Sequence, residues 1–171
     1  MIMKKLCGVY IEDDVKNIEV YGALFEEYDS DISIIGLNDL PENLTDIYPI
    51  LLEKKPDFII IDHELNKKVT YNGWDVLKEI RKQDATIYVI LLTNFPLKDF
   101  KEEFYDYDKE IQKQNLEDQI YDVVRKVRRA CELRADNLML EEMQCQINQE
   151  KKKLSALEEI KDLLLKGKRV E

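Results

Sequence analysis

The run Asp57-Phe-Ile-Ile-Ile-Asp62 constrains the fold of this chain more than any other stretch of its sequence. Four consecutive apolar residues stand between two carboxylates, with no alternation of polar and apolar positions. A strand with one solvated face alternates between the two types, whereas a parallel strand covered on both faces is apolar throughout. We therefore predict that this run is a strand inside a parallel sheet that has helices on both faces.

Other apolar runs of strand length alternate with amphipathic segments along the first 115 residues. We predict five strands, at Cys7–Ile11, Ile32–Leu37, Asp57–Asp62, Ile87–Leu92 and, most weakly, Lys109–Lys113. Helices are predicted before Tyr28, between Pro41 and Lys54, and around Trp74, where apolar residues recur at helical spacing. This alternation is typical of parallel strands joined by crossover helices. The predicted fold class is α/β, with a doubly wound sheet of five parallel strands.

The sequence after Asn115 favours a long helix, because it has no proline and is rich in Leu, Glu, Lys, Arg and Gln. An apolar stripe predicts that the first part of this helix packs on the sheet. The stripe consists of Ile120, Val123, Val124, Val127 and Cys131. It breaks at residues 134–137, so we divide the chain into domains 1–133 and 134–171. The break is also a point at which the helix could fold back as a hairpin.

Beyond the break, apolar residues recur in heptads, which is the pattern of a coiled coil. One heptad position holds Leu140, Ile147 and Leu154, the other holds Met143, Leu157 and Leu164, and Glu150 and Lys161 interrupt the frame. A helix over residues 116–166 would extend about 75 Å at 1.5 Å per residue. A small domain cannot bury that length, so we expect the far part to pair with a second copy of the chain or with another protein.

Composition excludes several classes of protein. The net charge of −10 arises within residues 1–115, which hold 24 acidic and 14 basic side chains, so we expect no nucleic-acid partner. No apolar run approaches the roughly 20 residues of a membrane span, so we expect no membrane partner. A single histidine, His63, makes a zinc site a poor candidate, and we expect it in a solvated loop. Three widely spaced cysteines fit reduced thiols in a cytoplasmic protein.

Polar side chains follow the predicted strands at the edge where open α/β sheets gather functional groups. They are Glu12, Asp13 and Asp14 after the first strand, Asp62 after the third, Thr93 after the fourth and Lys113 at the end of the fifth. Crowded carboxylates repel one another unless a cation lies among them, and all-oxygen ligands suit Mg²⁺. A hydroxyl and an ammonium are donors that would hold a phosphoryl group. A carboxylate among such groups can act as an acceptor nucleophile.

These residues lie in segments that occur together in a known family. The segments are Val9-Tyr-Ile-Glu-Asp-Asp14, Lys55-Pro-Asp-Phe-Ile-Ile-Ile-Asp62, Gly73-Trp-Asp-Val-Leu-Lys-Glu-Ile-Arg81, Tyr88-Val-Ile-Leu-Leu-Thr93 and Lys113. In this order, with 31 residues from Asp62 to Thr93 and 20 from Thr93 to Lys113, they resemble the CheY-like receiver domain of bacterial two-component response regulators. The resemblance covers roughly residues 4–133, and it implies a flavodoxin-like fold followed by the helical extension.

The resemblance also implies a Mg²⁺-dependent phosphoryl transfer from a sensor histidine kinase or a phosphotransfer protein to Asp62. Asp13 would bind Mg²⁺ directly and Glu12 would assist, with Asp14 as the alternative second acid. Asp62 and the backbone carbonyl of Glu64 would be further metal ligands.

In a receiver of this kind, Thr93 and Lys113 would contact the phosphoryl oxygens. Beyond self-phosphorylation and autodephosphorylation at Asp62, no enzymatic activity is expected. The output would be protein–protein contacts of the C-terminal helix, either with a downstream effector or with a second copy of the chain in a homodimer.

Two differences from the family pattern keep an alternative open. Glu110 stands where the family has an aromatic switch residue, and Gln114 stands where a proline normally follows the lysine. The alternative is an adaptor with a receiver-like fold that signals without phosphorylation and assembles through the coiled coil. A phosphatase of the haloacid dehalogenase type is disfavoured, because its nucleophile should follow an early strand as DxD, whereas Asp62-His-Glu64 follows the third.

Overall fold

We describe the chain from a computed structural model, over residues 4–65, 68–95 and 106–167. The strands of these residues are β1 (Leu6–Ile11), β2 (Ile32–Leu37), β3 (Phe58–Asp62), β4 (Tyr88–Thr93) and β5 (Lys109–Gln112). Their helices are α1 (Val15–Tyr28), α2 (Ile47–Lys54), α3 (Gly73–Gln83) and α4 (Leu116–Gly167), with 3₁₀ turns at Leu44–Asp46 and Lys113–Asn115.

The five strands form one sheet in the order β2-β1-β3-β4-β5, and all of the strand pairs are parallel. This is the flavodoxin-like order, in which the chain changes direction across the sheet between β1 and β3. The predicted α/β class and the five-stranded parallel sheet are confirmed. Because ligands of open α/β folds bind outside the carboxyl ends of the strands at such a point, the ends of β1 and β3 define where a site is expected.

The core consists of two layers, one on each face of the sheet. Successive residues of β3 point to opposite faces: Ile59 and Ile61 pack in the layer that contains α2 and α3, and Phe58 and Ile60 pack in the layer that contains α1 and the start of α4. All five residues of β3 are buried. The unbroken apolar run in the sequence therefore has the cause predicted for it, namely cover on both faces.

Helix α2 is shorter than the interval between Pro41 and Lys54 in which it was predicted. It begins at Ile47, which places Pro49 third in the helix. Proline lacks the amide hydrogen that an interior helical residue donates, but the amides of the first turn have no partner within the helix in any case. Pro49 is therefore compatible with a helix that begins at Ile47 and not with one that begins near Pro41.

Helix α4 is 52 residues long and continues without a break through residues 134–137. The alternative of a hairpin at this point is wrong. The four residues interrupt the apolar stripe but include neither glycine nor proline, so nothing in them ends a helix. None of the described helices has the length and apolar character that crossing a membrane requires.

The contacts divide the chain into two compact units, the first ending at Cys131 and the second beginning at Glu132. In the first unit α4 buries Leu116, Val123, Val124, Val127 and Cys131. In the second unit, every described residue after Arg134 is exposed. The division between domains that the sequence predicts, after residue 133, lies two residues from this boundary.

Candidate functional site

The register of the sheet brings the ends of β1, β3, β4 and β5 to one edge. Ile11 pairs with Ile61, Asp62 pairs with Leu92, and Thr93 pairs with Gln112. Glu12 therefore leaves β1 beside Asp62, and Lys113 follows β5 directly. The structure thus collects at this edge the acidic, hydroxyl and ammonium groups that the sequence predicts there.

The ammonium of Lys113 joins two of these carboxylates. Its Nζ lies 2.8 Å from Oε2 of Glu12 and 3.0 Å from Oδ2 of Asp62, and all three side chains are at most 3% exposed. A buried charge is tolerated when it is paired in this way. Lys113 therefore supplies one positive charge to the carboxylates of Glu12 and Asp62.

Lys113, Glu12 and Asp62 shift one another's pKa values. Burial alone would lower the pKa of Lys113, but the charges and hydrogen bonds of Asp62 and Glu12 outweigh it, so this pKa is raised. Burial alone would raise the pKa of Glu12, but the hydrogen bond and the charge of Lys113 outweigh it and hold this pKa below its usual value. For Asp62, burial is the largest influence and, with the neighbouring charge of Glu12, raises the pKa to about 7 in spite of Lys113.

The second oxygen of Asp62 has no partner among the residues that the structure describes. Lys113 contacts Oδ2, whereas Oδ1 is buried and accepts no hydrogen bond from any described residue. An unpartnered buried carboxylate oxygen is costly, and such a group is commonly explained by a ligand, an ion or a reaction at that atom. The free oxygen is the feature of this site that ordinary packing does not explain.

Thr93 and Glu64 lie at the same edge and contact neighbouring loops. Thr93 is fully buried at the end of β4, and its hydroxyl oxygen accepts a hydrogen bond from the backbone amide of Phe95 at 3.2 Å. Glu64 follows the strand by two residues and is exposed, with its carboxylate 3.5 Å from the side-chain amide of Asn94. The structure therefore places both residues near the end of β3 without a described contact to Asp62.

Among the three acids after β1, the structure separates Asp14 from the others. Glu12 and Asp13 are buried, whereas Asp14 caps α1 by accepting a hydrogen bond from the Lys16 amide. Aspartate is a favoured residue at this position because its carboxylate satisfies an otherwise unpartnered amide of the first turn. Asp14 is thus explained by the helix.

A magnesium ion fits this site in the chemistry of its donors. The described residues contain no group of three or more His, Cys, Asp and Glu side chains placed to hold a metal ion. The set that the resemblance to receiver domains implies needs fewer, because its direct side-chain ligands are Asp13 and Asp62. The backbone carbonyl of Glu64 and a water held by Glu12 would complete it. The donors are all oxygens, as Mg²⁺ prefers, and Asp62 Oδ1 is unused.

Several residues of the site were not predicted from the sequence. Tyr10 and Asn17 both donate hydrogen bonds to Oε2 of Glu12, at 3.2 and 3.1 Å. The ring of Tyr21 lies 5.7 Å from the Lys113 ammonium, within the distance at which a cation is attracted to an aromatic face. A signal existed for Tyr10, because residues two apart on a strand share a face. For Asn17 and Tyr21 no such local signal exists.

The loop after Asp62 is held by Gly73, the first residue of α3. Its amide donates to the carbonyl of His63 at 2.9 Å, and a Cβ atom at Gly73 would lie 2.8 Å from the Cα of His63. The expectation of a solvated His63 is wrong, since the side chain is buried and its ring meets Trp74 edge to face. The contact follows from α3 packing close to the end of β3, which requires glycine.

A family model described as "Response regulator receiver domain" matches residues 9–135. The chain belongs to the response regulator receiver domain family. The sheet order is that of the flavodoxin-like receiver fold, as the sequence predicted. No curated protein matches the chain.

Solved structures similar to this receiver include the response regulator TrrA from Thermotoga maritima in complex with Mg(2+)-BeF. That match has 21% identity and a TM-score of 0.58, and it covers 73% of this chain and 99% of TrrA. A complex of the histidine kinase ThkA with TrrA matches with 21% identity and a TM-score of 0.55, over 73% of this chain and 98% of the other. The signal receiver domain of an HD domain-containing protein from Pseudomonas fluorescens matches with 13% identity and a TM-score of 0.59, over 80% and 96%. At identities of 13–21%, these matches show that the chain shares the fold of the three structures.

Proposed function

We propose that Asp62 accepts a phosphoryl group from the phosphohistidine of a sensor histidine kinase or of a phosphotransfer protein. The observation that carries this proposal is the state of the Asp62 carboxylate. One oxygen is held by Lys113, while the other is buried and has no protein partner among the described residues. A carboxylate held in this way is oriented, and its second oxygen is not engaged in a hydrogen bond that a reaction would have to break.

In the transfer, an oxygen of Asp62 forms a bond to phosphorus as the bond from phosphorus to the donor imidazole nitrogen breaks. The electron pair of that bond leaves with the imidazole, and the product is an aspartyl phosphate. Negative charge then increases at the buried edge, where Lys113 is already fixed and can move its contact from the carboxylate to a phosphoryl oxygen. The Thr93 hydroxyl donates to the Phe95 carbonyl at 3.1 Å, and it would bind another phosphoryl oxygen by leaving that acceptor.

A bound Mg²⁺ would supply positive charge that stabilises the negative charge of the transferred phosphoryl group. Asp13, Asp62 and the backbone carbonyl of Glu64 would hold it, and Glu12 would assist through water. The buried positions of Glu12 and Asp13 support this assignment over one that uses Asp14, which caps α1. The complex of the similar receiver TrrA with Mg(2+)-BeF is consistent with it.

The proposed output is a set of protein–protein contacts of the exposed part of α4, with a downstream effector or with a second copy of the chain. The complex of TrrA with a histidine kinase supports a kinase as the upstream partner. The exposure of the helix after Arg134 supports a partner on the output side. Helices in proteins are stabilised mainly by packing an apolar face against another surface, and the leucines of this part of α4 are exposed.

The direct test is the intact mass of the chain after incubation with acetyl phosphate and Mg²⁺. The wild type is expected to gain one phosphoryl group, and Asp62→Asn is expected to gain none. Asp39→Asn is the matched control, because Asp39 is exposed in the loop after β2 and should leave labelling unchanged.

Labelling of Asp62→Asn equal to that of the wild type would contradict the proposal. Absence of labelling in the wild type together with absence of Mg²⁺ binding would favour the adaptor that signals without phosphorylation. In that case Glu110 and Gln114, the two positions that differ from the family pattern, would mark a receiver that has lost its switch.

A further inference from the structure

The second unit has an apolar face that nothing in the described chain covers. All of its heptad leucines, methionines and isoleucines are exposed, with side chains such as Ile147, Leu154 and Leu164 between 46% and 66% accessible. An exposed stripe of this length at heptad spacing is typical of a helix that pairs with another helix. The question is which partner satisfies every position of the stripe, including the two that are charged.

The two charged positions have opposite signs and lie symmetrically within the stripe. Glu150 is three residues after Ile147, and Lys161 is three residues before Leu164. Leu154 and Leu157 lie between them, and each leucine is four positions from the nearer charged residue. The spacing of apolar and charged positions is therefore the same in both directions along the helix. The charged position is a glutamate in the first half and a lysine in the second.

Two copies of this segment in antiparallel orientation match at every layer. In an antiparallel pair, the first heptad position of one helix faces the second position of the other. We place the two-fold axis midway between Leu154 and Leu157. Leu154 of one copy then faces Leu157 of the other, and Ile147 faces Leu164 in the same way. Glu150 of one copy faces Lys161 of the other. Symmetry repeats each contact, so four layers are apolar and two are ion pairs.

A parallel pair in register has the opposite result. It would place Glu150 against Glu150 and Lys161 against Lys161 in the interior of the interface, and like charges facing each other in an interface are strongly unfavourable. The flanking positions do not separate the two orientations. The antiparallel pair brings Lys151 near Glu158 of the second copy, and the parallel pair brings Lys153 near Glu158 of the second copy.

We propose that residues 147–164 form an antiparallel coiled coil with the same segment of a second copy of this chain, and that Glu150 and Lys161 set its orientation and register. In the single chain, the Glu150 carboxylate accepts a hydrogen bond from Lys153 at 2.8 Å, with both side chains about 70% exposed. Such an exposed pair contributes little, so Glu150 can turn to Lys161 of the second copy. The proposal rests on the output through helix contacts proposed above and is independent of phosphoryl transfer.

The test is a charge swap in the full chain, measured by sedimentation equilibrium without a phosphodonor. Glu150→Lys places two lysines in each ionic layer, and Lys161→Glu places two glutamates there. Each single variant is expected to raise the dissociation constant of the dimer about tenfold or more. The double variant restores opposite charges in both layers and is expected to return to within about threefold of the wild type.

Orientation is tested separately through Cys145, which is exposed on this helix. In the antiparallel pair, Cys145 lies opposite position 166 of the second copy, so two spin labels on Cys145 are about 30 Å apart along the axis. In a parallel pair the two Cys145 residues lie at the same height on the outer faces of the two helices, because Cys145 is five positions after Leu140 in the heptad. Only the width of the pair, about 20 Å, then separates them, with no axial component. Cys7→Ser and Cys131→Ala remove the other two thiols, and the fluorescence of the buried Trp74 checks that the receiver remains folded.

A wild type that stays monomeric up to its solubility limit overturns this inference, as does a double variant that associates no better than the single variants. A spin-label distance that matches the width of the pair, without the axial component of about 30 Å, would also overturn it. Each charge variant should still gain one phosphoryl group from acetyl phosphate. Loss of that gain in every chain, the wild type included, would count against the function of Asp62 and not against the helix pairing.

Discussion

Both parts of helix α4 carry an apolar stripe, but only the first stripe is buried. In the unit that ends at Cys131, residues such as Val123 and Val127 have at most 3% of their surface exposed. In the unit that begins at Glu132, Leu154 and Leu157 occupy equivalent positions on a stripe and are about 60% exposed. Helical structure is continuous over both. Secondary structure therefore does not determine burial; burial requires an opposing apolar face, which the sheet supplies to the first stripe.

The same contrast holds for charged groups. Lys113 in the first unit is buried between two carboxylates, and Lys161 in the second unit lies exposed on a helix. We expect matched substitutions in the two units to distinguish residues that stabilise the receiver from residues that contribute only to self-association. Trp74, the single tryptophan, is buried in the receiver and reports on the unfolding of that unit alone.

The largest contrast is expected from an aspartate in each stripe. Val127→Asp buries an unpaired carboxylate in the receiver and should lower the free energy of unfolding by about 4 kcal/mol or more. Leu157→Asp should leave the receiver unchanged and abolish self-association. Urea unfolding followed by Trp74 fluorescence, with sedimentation in parallel, measures both. Equal destabilisation of the receiver by the two variants would show that the second stripe is part of its core.

The next contrast is between two lysines. Lys113→Ala leaves Glu12 and Asp62 buried without their common cation, and breaking a buried ion pair in this way costs about 3–5 kcal/mol. Lys161→Ala removes an exposed ammonium and should not shift the Trp74 unfolding midpoint. A midpoint for Lys113→Ala that equals the wild type would mean that Lys113 does not hold the two carboxylates as described.

A smaller contrast is expected from two glycines. Gly73→Ala brings a Cβ atom within 2.8 Å of the Cα of His63, and backbone at a strand end cannot move away freely. We expect a loss of about 2 kcal/mol in the stability of the receiver. A Cβ at Gly167 meets nothing within 4 Å, so Gly167→Ala should leave the receiver unchanged and slightly increase helix content. Circular dichroism and Trp74 fluorescence distinguish these effects, and a neutral Gly73→Ala would contradict the close packing of α3.

The smallest contrast is between two ion pairs. Arg128 contacts Asp29 at 2.6 Å with both side chains at most 15% exposed, whereas Lys153 and Glu150 are 70% and 71% exposed. A double-mutant cycle should give about 1–2 kcal/mol for the first pair. For the second pair the coupling should be too small to measure, at concentrations below those of self-association.

This contrast also has a pH dependence. The hydrogen bond from Arg128, opposed by partial burial, holds the pKa of Asp29 below its ordinary value of 3.8. The stability that the pair contributes is therefore present above that value and is lost as the pH falls through the lower pKa of the folded state. The stability difference between wild type and Arg128→Met should shrink when the pH is lowered from 6 to 3. A difference that is constant over this range would mean that Asp29 is not held by Arg128.

Sequence reasoning succeeded where a local pattern has a single physical cause. The unbroken apolar run ending in Asp62 predicted a strand covered on both faces, and the spacing of the polar strand ends predicted the edge at which Glu12, Asp62 and Lys113 meet. The family identified from those residues is confirmed by the match over residues 9–135. The roles of the individual site residues stay predictions until phosphorylation is measured.

Sequence reasoning failed where packing between distant segments decides. The hydrogen bond from Asn17 to Glu12 depends on how α1 leaves β1, and the burial of His63 depends on how closely α3 approaches β3. The hairpin alternative at residues 134–137 is wrong because a break in the apolar stripe changes which side chains are buried. It does not end the helix. The contact of the Tyr107 ring with Trp74 likewise joins segments that are distant in the sequence.

The measurement that tests the central claim most directly is the location of the phosphoryl group on the chain. After treatment with acetyl phosphate and Mg²⁺, borohydride reduction converts an aspartyl phosphate to homoserine, which peptide mass spectrometry assigns to a position. The account predicts homoserine at position 62 in the wild type and in Asp39→Asn, and at no position in Asp62→Asn. Reduction at Asp13 or Asp14 with Asp62 intact would contradict it.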